Sequence, residues 1–242
     1  MKERFSQDLY IVPGCADADG RLGYHDVFRL FMDVASIHAE QLGVGFEKMA
    51  ERELFWLTAK TQVNFYERPA MNDMVTLSTW PEAPERVRAN RSYEMQKNGK
   101  TVITGKTEWA VINTRTNRLA PMTNVFAEDM AFDILTACPQ AFDRIPDDYN
   151  EDEAYYEYIV RSIDIDVGGH MNNAAYVRAA IGSLSNAKIE RLSPKRMCVI
   201  YKSPCFEGDK LRLYKREDGD RLYIGMYSNE KTSVLISIEK GR

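Results

Sequence analysis

Residues 62–77, QVNFYERPAMNDMVTL, and residues 199–213, VIYKSPCFEGDKLRL, share a pattern that decides the fold. In each stretch a strand-like apolar run leads into a turn, and a second strand-like run follows the turn. Asn72-Asp73 in the first stretch aligns with Gly208-Asp209 in the second. Because such runs on either side of turn-forming residues are typical of antiparallel strands, the match predicts that the chain contains one structural unit twice.

The segments around these two stretches also repeat in the same order. Each copy contains a short strand candidate, a polar loop, a helix with apolar residues at helical spacing, and four strand-like runs. The first copy has them at residues 9–12, 17–20, 24–42, 55–66, 74–80, 87–95 and 101–113. The second copy has them at residues 155–163, 164–169, 173–184, 197–202, 210–214, 221–227 and 233–239. Gly43 is a candidate C-cap of the first helix, and Asn98-Gly99 predicts a tight hairpin.

A helix packed against an antiparallel sheet in each copy places the protein in the α+β class. Residues 143–157, DRIPDDYNEDEAYYE, are rich in Asp, Glu and Pro, which is typical of a linker. We therefore predict an N-terminal domain over residues 1–145 and a C-terminal domain over residues 155–242.

Composition excludes several classes of protein. The 242 residues are 44% hydrophobic and 28% charged, and 32 basic against 36 acidic residues leave a net charge of −4, which argues against a nucleic-acid partner. The four cysteines form no C-x-x-C pair and only three histidines are present, so we expect no zinc site and no other cofactor. Since no stretch approaches the ~20 apolar residues of a membrane span, we expect a cytoplasmic protein with no membrane partner.

The densest polar cluster is the loop at residues 164–173, DIDVGGHMNN, directly before the second helix. A helix N-terminus attracts a developing oxyanion through its N–H groups, and Gly168 allows a bound group to approach the backbone. His170 is a candidate general base and Asp166 could orient it. The corresponding loop of the first copy, residues 17–25, lacks this combination, although His25 opens its helix.

A purely structural interpretation of this cluster stays open. Asn172 and Asn173 are good helix N-caps, and a single histidine often hydrogen-bonds locally. Elsewhere, His38 is expected to be packed inside the first helix, and the tryptophans at positions 56, 80 and 109 are core residues or pocket walls. A basic run at residues 86, 88, 91, 97 and 100 could contact an acidic partner or form a solvated strand face.

The stretch DIDVGGHMNNAAYV, residues 164–177, resembles the D-x-D-x-N-x-H-x-N-N-x-x-Y signature of acyl-acyl-carrier-protein thioesterases of plants and bacteria. The resemblance extends over nearly the whole chain, including LFMDVASIHAEQLG (30–43), FWLTAKTQVNFYERPAMNDMVTLSTWP (55–81) and TEWAVINTRTNRLAPM (107–122). It implies a tandem (double) hotdog in which a long helix is wrapped by an antiparallel sheet in each half. It also implies an acyl pocket in the N-terminal half and a catalytic loop in the C-terminal half.

Carried over residue by residue, the family's catalytic aspartate falls on Asp166 and its histidine on His170. Two positions depart from the family's pattern. The catalytic asparagine of the plant enzymes falls on Gly168, and the glutamate (or neighbouring cysteine) of the following strand falls on Pro204 and Cys205, of which the cysteine is kept. Glu207 lies close by in the sequence but would need a shifted register to replace the lost acid.

The resemblance implies an enzyme of fatty acid biosynthesis that releases a free fatty acid from acyl carrier protein or coenzyme A. We expect His170 to activate water and Asp166 to orient it, while Gly168, Asn172, Asn173 and the N–H groups of residues 171–173 hold the carbonyl. Cys205 as a nucleophile is the alternative route.

Two other function classes remain as alternatives. A hotdog hydratase or dehydratase would use D-x₄-H spacing, whereas this chain has D-x₃-H. A non-catalytic acyl-binding double hotdog is compatible with the departures at positions 168 and 204. Because the duplicated chain already supplies two hotdogs, we expect a monomer that acts as a pseudo-dimer, with a homodimer as the other possibility.

Overall fold

The computed structural model describes residues 4–127, 130–149 and 153–241. The chain divides into two compact units. The first comprises Met1–Gly23 and Arg29–Gln140, and the second comprises Tyr24–Phe28 and Ala141–Arg242.

The first unit is built on an antiparallel sheet. Along the chain its elements are β1 (Phe5–Tyr10), α1 (Tyr24–Gln41, whose first five residues group with the second unit), α2 (Phe46–Glu51), β2 (Leu54–Phe65), β3 (Met74–Pro81), β4 (Arg88–Lys97), β5 (Lys100–Asn113) and β6 (Arg118–Leu119). The strands pair in the order β1-β3-β4-β5-β2, and β6 pairs with β5. This is the predicted order of one strand, one long helix and four strands.

The second unit repeats the same plan. Its elements are β7 (Tyr156–Ile159), α3 (Asn173–Gly182), α4 (Asn186–Leu192), β8 (Arg196–Tyr201), β9 (Lys210–Asp218), β10 (Arg221–Ser228) and β11 (Lys231–Glu239). The strands pair antiparallel in the order β7-β9-β10-β11-β8. Because this order matches β1-β3-β4-β5-β2 element by element, the structure confirms the predicted α+β duplication.

Helix α1 is held against its sheet by close contact between aromatic rings. Phe31 stacks on Tyr93 of β4 with ring centroids 4.3 Å apart. At Gly105 of β5, a Cβ atom would lie only 2.3 Å from Cε2 of Phe31, so this approach requires glycine. The helix ends as predicted, since Gly43 has a φ of +69° and its N–H donates to the carbonyl of Glu40 at 3.0 Å.

Several element boundaries differ from those predicted. The first strand covers Phe5–Tyr10 rather than residues 9–12, because polar residues alternate along an edge strand that pairs with β3. Helix α3 ends at Gly182 rather than near residue 184, and β9 continues to Asp218 through part of the predicted turn. The hairpin at Asn98-Gly99 is confirmed, with φ values of +52° and +74°.

Among the α-helices and β-strands of the described residues, α2, α4 and β6 have no counterpart in the sequence prediction. Six- and seven-residue helices are too short to show an apolar period. Helix α2 is started by a contact that composition does not reveal, because the Glu40 carboxylate accepts a hydrogen bond from the N–H of Phe46 at 2.8 Å.

The predicted linker is partly bound along the sheet of the second unit. Asp143 pairs with Arg196 and Arg221, and Tyr149 is 1% exposed between two other tyrosine rings of that sheet. Asp143, Asp147 and Asp148, three of the acidic residues that suggested a linker, are therefore used in ion pairs. Residues 150–152 of this segment lie outside the described residues.

Candidate functional site

The candidate loop closes on itself by backbone hydrogen bonds. The N–H of Asp166 donates to the carbonyl of His170 at 3.0 Å, and the N–H of Gly169 donates to the carbonyl of Asp166 at 3.0 Å. Gly169 has a φ of +78°, which favours glycine at this point of the turn. The loop then leads directly into α3, so its backbone holds positions 166 and 170 side by side.

Asp166 and His170 face each other across this loop. The Nδ1 atom of His170 lies 3.7 Å from Oδ1 of Asp166, within ion-pair range but beyond hydrogen-bond distance, and both side chains are 27% exposed. The same carboxylate oxygen accepts the N–H of Gly168 at 2.8 Å, which fixes its direction. The structure thus brings together the predicted acid and base where water can reach them.

Asp164 stabilises the loop through hydrogen bonds of its side chain and its backbone. Its carboxylate is fully buried and accepts hydrogen bonds from the Tyr158 hydroxyl at 2.7 Å, the Arg161 N–H at 2.9 Å and Nη2 of Arg178 at 2.5 Å. Its carbonyl accepts the N–H of Asn172 at 2.8 Å. Burial raises the pKa of the Tyr158 phenol, as does its hydrogen bond to Asp164, so the hydroxyl stays a donor.

The sequence identifies Asp164 only as one of two acids in the loop. Its partner Arg178 lies 14 residues further on, within α3. No motif spacing in the sequence marks that pair.

Asn172 is the N-cap of α3. Its Oδ1 accepts the N–H of Ala174 at 2.9 Å, the capping role that the structural interpretation assigned to it. The N–H of Asn172 donates to Asp164, and the N–H of Met171 donates to the carbonyl of Cys205 at 2.8 Å. Of the three N–H groups expected to hold a carbonyl, two are therefore already engaged. The third, at Asn173, has no acceptor among the described contacts.

Cys205 is fully buried next to the loop. Its thiol donates to Oγ of Ser233 at 3.1 Å, and its N–H donates to the Tyr176 hydroxyl at 2.9 Å. Burial and the Cys205 thiol together raise the pKa of Tyr176. These contacts are those of a packed residue, while Pro204 and Glu207 on either side are exposed.

A second loop with the same backbone lies in the first unit. There the N–H of Asp17 donates to the carbonyl of Arg21 at 2.8 Å, and the N–H of Gly20 donates to the carbonyl of Asp17 at 2.9 Å. Leu22 donates to the carbonyl of Pro69 at 2.8 Å, as Met171 does to that of Cys205. The corresponding loop of the first copy therefore has the same backbone turn, and the position of His170 is held there by Arg21 rather than by His25.

The side chains of this counterpart loop are bound by one arginine. Arg68 pairs with Asp17 at 2.8 Å and also with Asp19, and Nη1 of Arg68 donates to the carbonyl of Leu22 at 3.0 Å. The alignment of residues 62–77 with residues 199–213 places Pro204 at the position of Arg68.

The third histidine is packed in the interior, as predicted. His38 is 2% exposed, and its Nδ1 lies 3.0 Å from Nη1 of Arg91. Burial and the charge of Arg91 lower the pKa of His38 to about 4, so the ring is neutral at physiological pH.

The prediction of an exposed basic run along β4 and its neighbours is only partly correct. Arg91 is buried and points toward α1, because it follows the inward alternation of the strand. Arg88 pairs with Glu108 at 2.6 Å, Lys97 with Asp73 at 2.5 Å, and Lys100 with Glu67 at 3.4 Å.

Among the residues that the structure describes, no group of three or more His, Cys, Asp or Glu side chains could hold a metal ion. Within the same residues, no helix is both long and apolar enough to cross a membrane.

Comparison with known proteins places these features in a family. The model of the acyl-ACP thioesterase N-terminal domain matches residues 2–130, and that of the acyl-ACP thioesterase C-terminal domain matches residues 148–240. Oleoyl-acyl carrier protein thioesterase 1 of Arabidopsis thaliana is 26% identical over 207 residues, which cover 76% of this chain and 55% of that protein. A palmitoyl-acyl carrier protein thioesterase of the same plant is 24% identical over 215 residues. The chain thus spans about half the length of the curated relatives that it matches.

Solved structures show the same tandem fold over the whole chain. An acyl-ACP thioesterase from Bacteroides thetaiotaomicron superposes with a TM-score of 0.85 at 19% identity, covering 99% of this chain and 98% of that one. The 12:0-ACP thioesterase from Umbellularia californica gives a TM-score of 0.83 at 19% identity, with 99% and 97% coverage. The expected double hotdog is confirmed. Since both family models together match nearly the full sequence, the chain belongs to the acyl-ACP thioesterase family.

Proposed function

We propose that the protein is a thioesterase that hydrolyses acyl-acyl-carrier-protein to a free fatty acid in fatty acid biosynthesis. The observation that carries this proposal is the pair formed by Asp166 and His170, which face each other 3.7 Å apart at a solvent-accessible helix N-terminus. An acid and a base held in this way can activate water.

In the proposed reaction, His170 takes a proton from water while the water oxygen attacks the thioester carbonyl. Because Nδ1 of His170 faces Asp166, Nε2 is the nitrogen that takes the proton. The negative charge of Asp166 stabilises the imidazolium that results. The C–S bond then breaks, and the proton returns to the leaving thiolate. Free fatty acid and the carrier thiol are the products.

The developing oxyanion needs a hydrogen-bond donor. We assign this role to the N–H of Asn173, the first residue of α3, because the N–H groups of Met171 and Asn172 are bound to carbonyls. The positive end of the α3 dipole acts in the same direction. Asn172 serves this site as the cap that starts the helix.

Gly168 contributes its backbone to the site. Its N–H fixes the Asp166 carboxylate, whereas the asparagine that plant members carry at this position would also offer a side chain. We therefore propose that Gly168 leaves substrate positioning to the backbone and to Asn173. Cys205 is assigned a packing role, because its buried thiol is directed to Ser233.

We place the acyl chain in the first unit. An apolar cluster there contains Trp56, Phe126 and Phe132, with ring centroids 5.3–6.0 Å apart, beside the buried residues Val111 and Met122. Apolar and aromatic walls of this kind suit a fatty acyl chain. The N-terminal domain would thus supply the acyl pocket and the C-terminal domain the catalytic loop.

A thiol-release assay tests the proposal. The purified protein is given acyl-acyl-carrier-protein and acyl-coenzyme A of matched chain lengths, and release of free thiol is followed. We expect turnover with the carrier protein, and a loss of about 10²–10⁴-fold in kcat for His170→Ala. The matched control is Arg21→Ala, which changes the corresponding position of the other loop and should leave kcat unaltered.

A non-catalytic acyl-binding protein is the other candidate, and the absence of the family's asparagine at position 168 and glutamate at position 204 favours it. Equal background thiol release by the unaltered protein and by His170→Ala would establish that candidate and reject hydrolysis. The cytoplasmic location and the monomeric state stay proposals, and native mass spectrometry decides between monomer and homodimer.

A further inference from the structure

Arg91 of β4 is a buried cation with no acidic partner among the described residues. It is 7% exposed, and Nη1 makes both of its hydrogen-bond contacts, with Nδ1 of His38 at 3.0 Å and with Oγ1 of Thr79 at 3.3 Å. Both partners are neutral. Because a buried charge without a counter-charge is costly, its retention points to a ligand that supplies one.

Two further buried donors lie on the same face of the sheet. The hydroxyl of Tyr93 and the indole Nε1 of Trp109 make no hydrogen bond of normal length and angle among the described residues, although Thr107 and Trp109 lie close enough to that hydroxyl to lower its pKa. Register places the three together: Arg91 lies opposite Thr107, Tyr93 opposite Gly105, and Trp109 opposite Ala89. This is the face toward α1, since Phe31 stacks on Tyr93 and His38 contacts Arg91.

The protonation states of this donor cluster (Arg91, Tyr93 and Trp109) suit an oxygen acceptor. Burial raises the pKa of Tyr93, which keeps its hydroxyl protonated, while the charge of Arg91 and the side chains of Thr107 and Trp109 act on the same pKa in the opposite direction. His38 is neutral and uses Nδ1 as an acceptor for Arg91, so it brings no competing positive charge. Three groups with N–H or O–H bonds to donate therefore converge where no protein carboxylate is described.

We propose that the donor cluster recognises an oxygen group carried by the acyl chain itself, a terminal carboxylate being the best match to the guanidinium. This proposal rests on the thioesterase function and adds a substrate class to it, namely oxygen-bearing rather than purely hydrocarbon acyl chains. A guanidinium binds a carboxylate through two parallel hydrogen bonds, and a phenol and an indole N–H can complete its acceptor set. A plain methyl terminus at this place would leave the Arg91 guanidinium without a counter-charge and would offer no acceptor to Tyr93 and Trp109.

The experiment compares acyl-carrier-protein thioesters of one chain length that end in methyl, hydroxyl or carboxylate. We expect the unaltered protein to prefer the carboxylate over the methyl terminus by at least ~10-fold in kcat/KM, with the hydroxyl between them. Arg91→Met should reverse that order. Arg88→Met is the matched control, because Arg88 lies on the same strand but pairs with Glu108 at the surface, and it should keep the order.

Tyr93→Phe provides a second test of the proposal if the Arg91→Met variant does not fold. It removes an unpartnered hydroxyl and keeps the ring that stacks on Phe31, so it should fold normally and lower the preference for oxygen-bearing chains ~3–10-fold. Unchanged ratios in Tyr93→Phe and a methyl preference in the unaltered protein would overturn the proposal.

A binding measurement separates this proposal from the proposed catalysis. Free long-chain dicarboxylic acid should raise the melting temperature of the unaltered protein more than the matching monocarboxylic acid does, and Tyr93→Phe should reduce the difference. If no thioester is hydrolysed but this difference is present, catalysis fails while the recognition site stands. If both acids act equally, the recognition site is rejected whatever the outcome for hydrolysis.

Discussion

The loops at residues 17–23 and 166–172 have the same backbone conformation but different side-chain interactions. In each loop the aspartate N–H donates to the carbonyl four residues on, from Asp17 to Arg21 and from Asp166 to His170, and a glycine N–H donates to the aspartate carbonyl. Both loops precede a helix. In the first loop an arginine binds the acidic side chains, whereas in the second the acid faces a histidine. Duplication therefore copied the scaffold, and a few side-chain exchanges separate a structural turn from a candidate catalytic one.

Two aligned positions account for most of this difference. Arg68 neutralises Asp17 in the first loop, and the proline at position 204 removes that arginine from the second. Arg21 is replaced by His170, whose imidazole can act as a general base. The comparison indicates that the second loop differs from the first by the absence of an ion pair like that of Arg68 with Asp17 and by the presence of a base, His170.

Among changes that test this comparison, placing the arginine of the first loop into the second should have the largest effect. In Pro204→Arg, the new guanidinium is expected to pair with Asp166 as Arg68 pairs with Asp17, so that the carboxylate no longer supports His170. We expect kcat to fall ~10²-fold in the thiol-release assay, with the melting temperature retained. Arg68→Met is the control and should leave kcat near its original value. Full activity of Pro204→Arg would show that Asp166 has no role in turnover.

Removing the buried charge of Asp164 in the second loop should have the next largest effect. Asp164→Asn leaves Arg178 without its anionic partner and weakens three hydrogen bonds, so we expect a loss of about 2–3 kcal/mol in unfolding free energy. We also expect kcat to fall ~10-fold, because the loop is less well positioned.

Cys15 occupies the matching position of the first loop and contacts Arg29 at 3.2 Å. Cys15→Ala should therefore leave kcat unchanged and serves as the matched control in chemical denaturation and in the activity assay. An Asp164→Asn protein with wild-type kcat would limit Asp164 to a role in stability.

Restoring a side chain at position 168 should have a smaller effect of opposite sign. Gly168 is not among the glycines with positive φ, and Asp19 holds the corresponding place in the first loop, so Gly168→Asn fits the backbone. We expect kcat to rise by about 3–10-fold through better substrate positioning. Steady-state kinetics that show no gain would mean that the backbone at this position already suffices.

The smallest effect is expected at the buried thiol. Cys205→Ser keeps a donor that can reach Ser233, so we expect kcat to change by less than about 2-fold. A loss of about 10²-fold or more, together with an acyl-enzyme adduct in mass spectrometry, would instead support Cys205 as nucleophile.

Much of the fold could be predicted because local patterns and tertiary packing agree. The amphipathic helix α1, the hairpin at Asn98-Gly99 and the repeat of five strands per copy each follow from periodicity and turn residues. The short helix α2 could not be predicted in this way, because it depends on a side-chain contact from Glu40.

The candidate site was predictable only in part. The order of residues from Asp166 to Asn173 is local, so the sequence shows that an acid and a base share one loop. The support from Arg178, and the equivalence of Arg21 with His170, depend on contacts between residues that are distant in the chain or in separate copies.

By itself the sequence determined the duplication, the α+β class and the loop in which Asp166 and His170 meet, because strand, helix and turn signals act over a few residues. Only the tertiary structure decided which charged side chains are buried, which N–H groups are engaged, and that Arg91 faces α1 with unpartnered donors beside it. Burial and pairing depend on what packs against a residue, and that is settled by the whole fold.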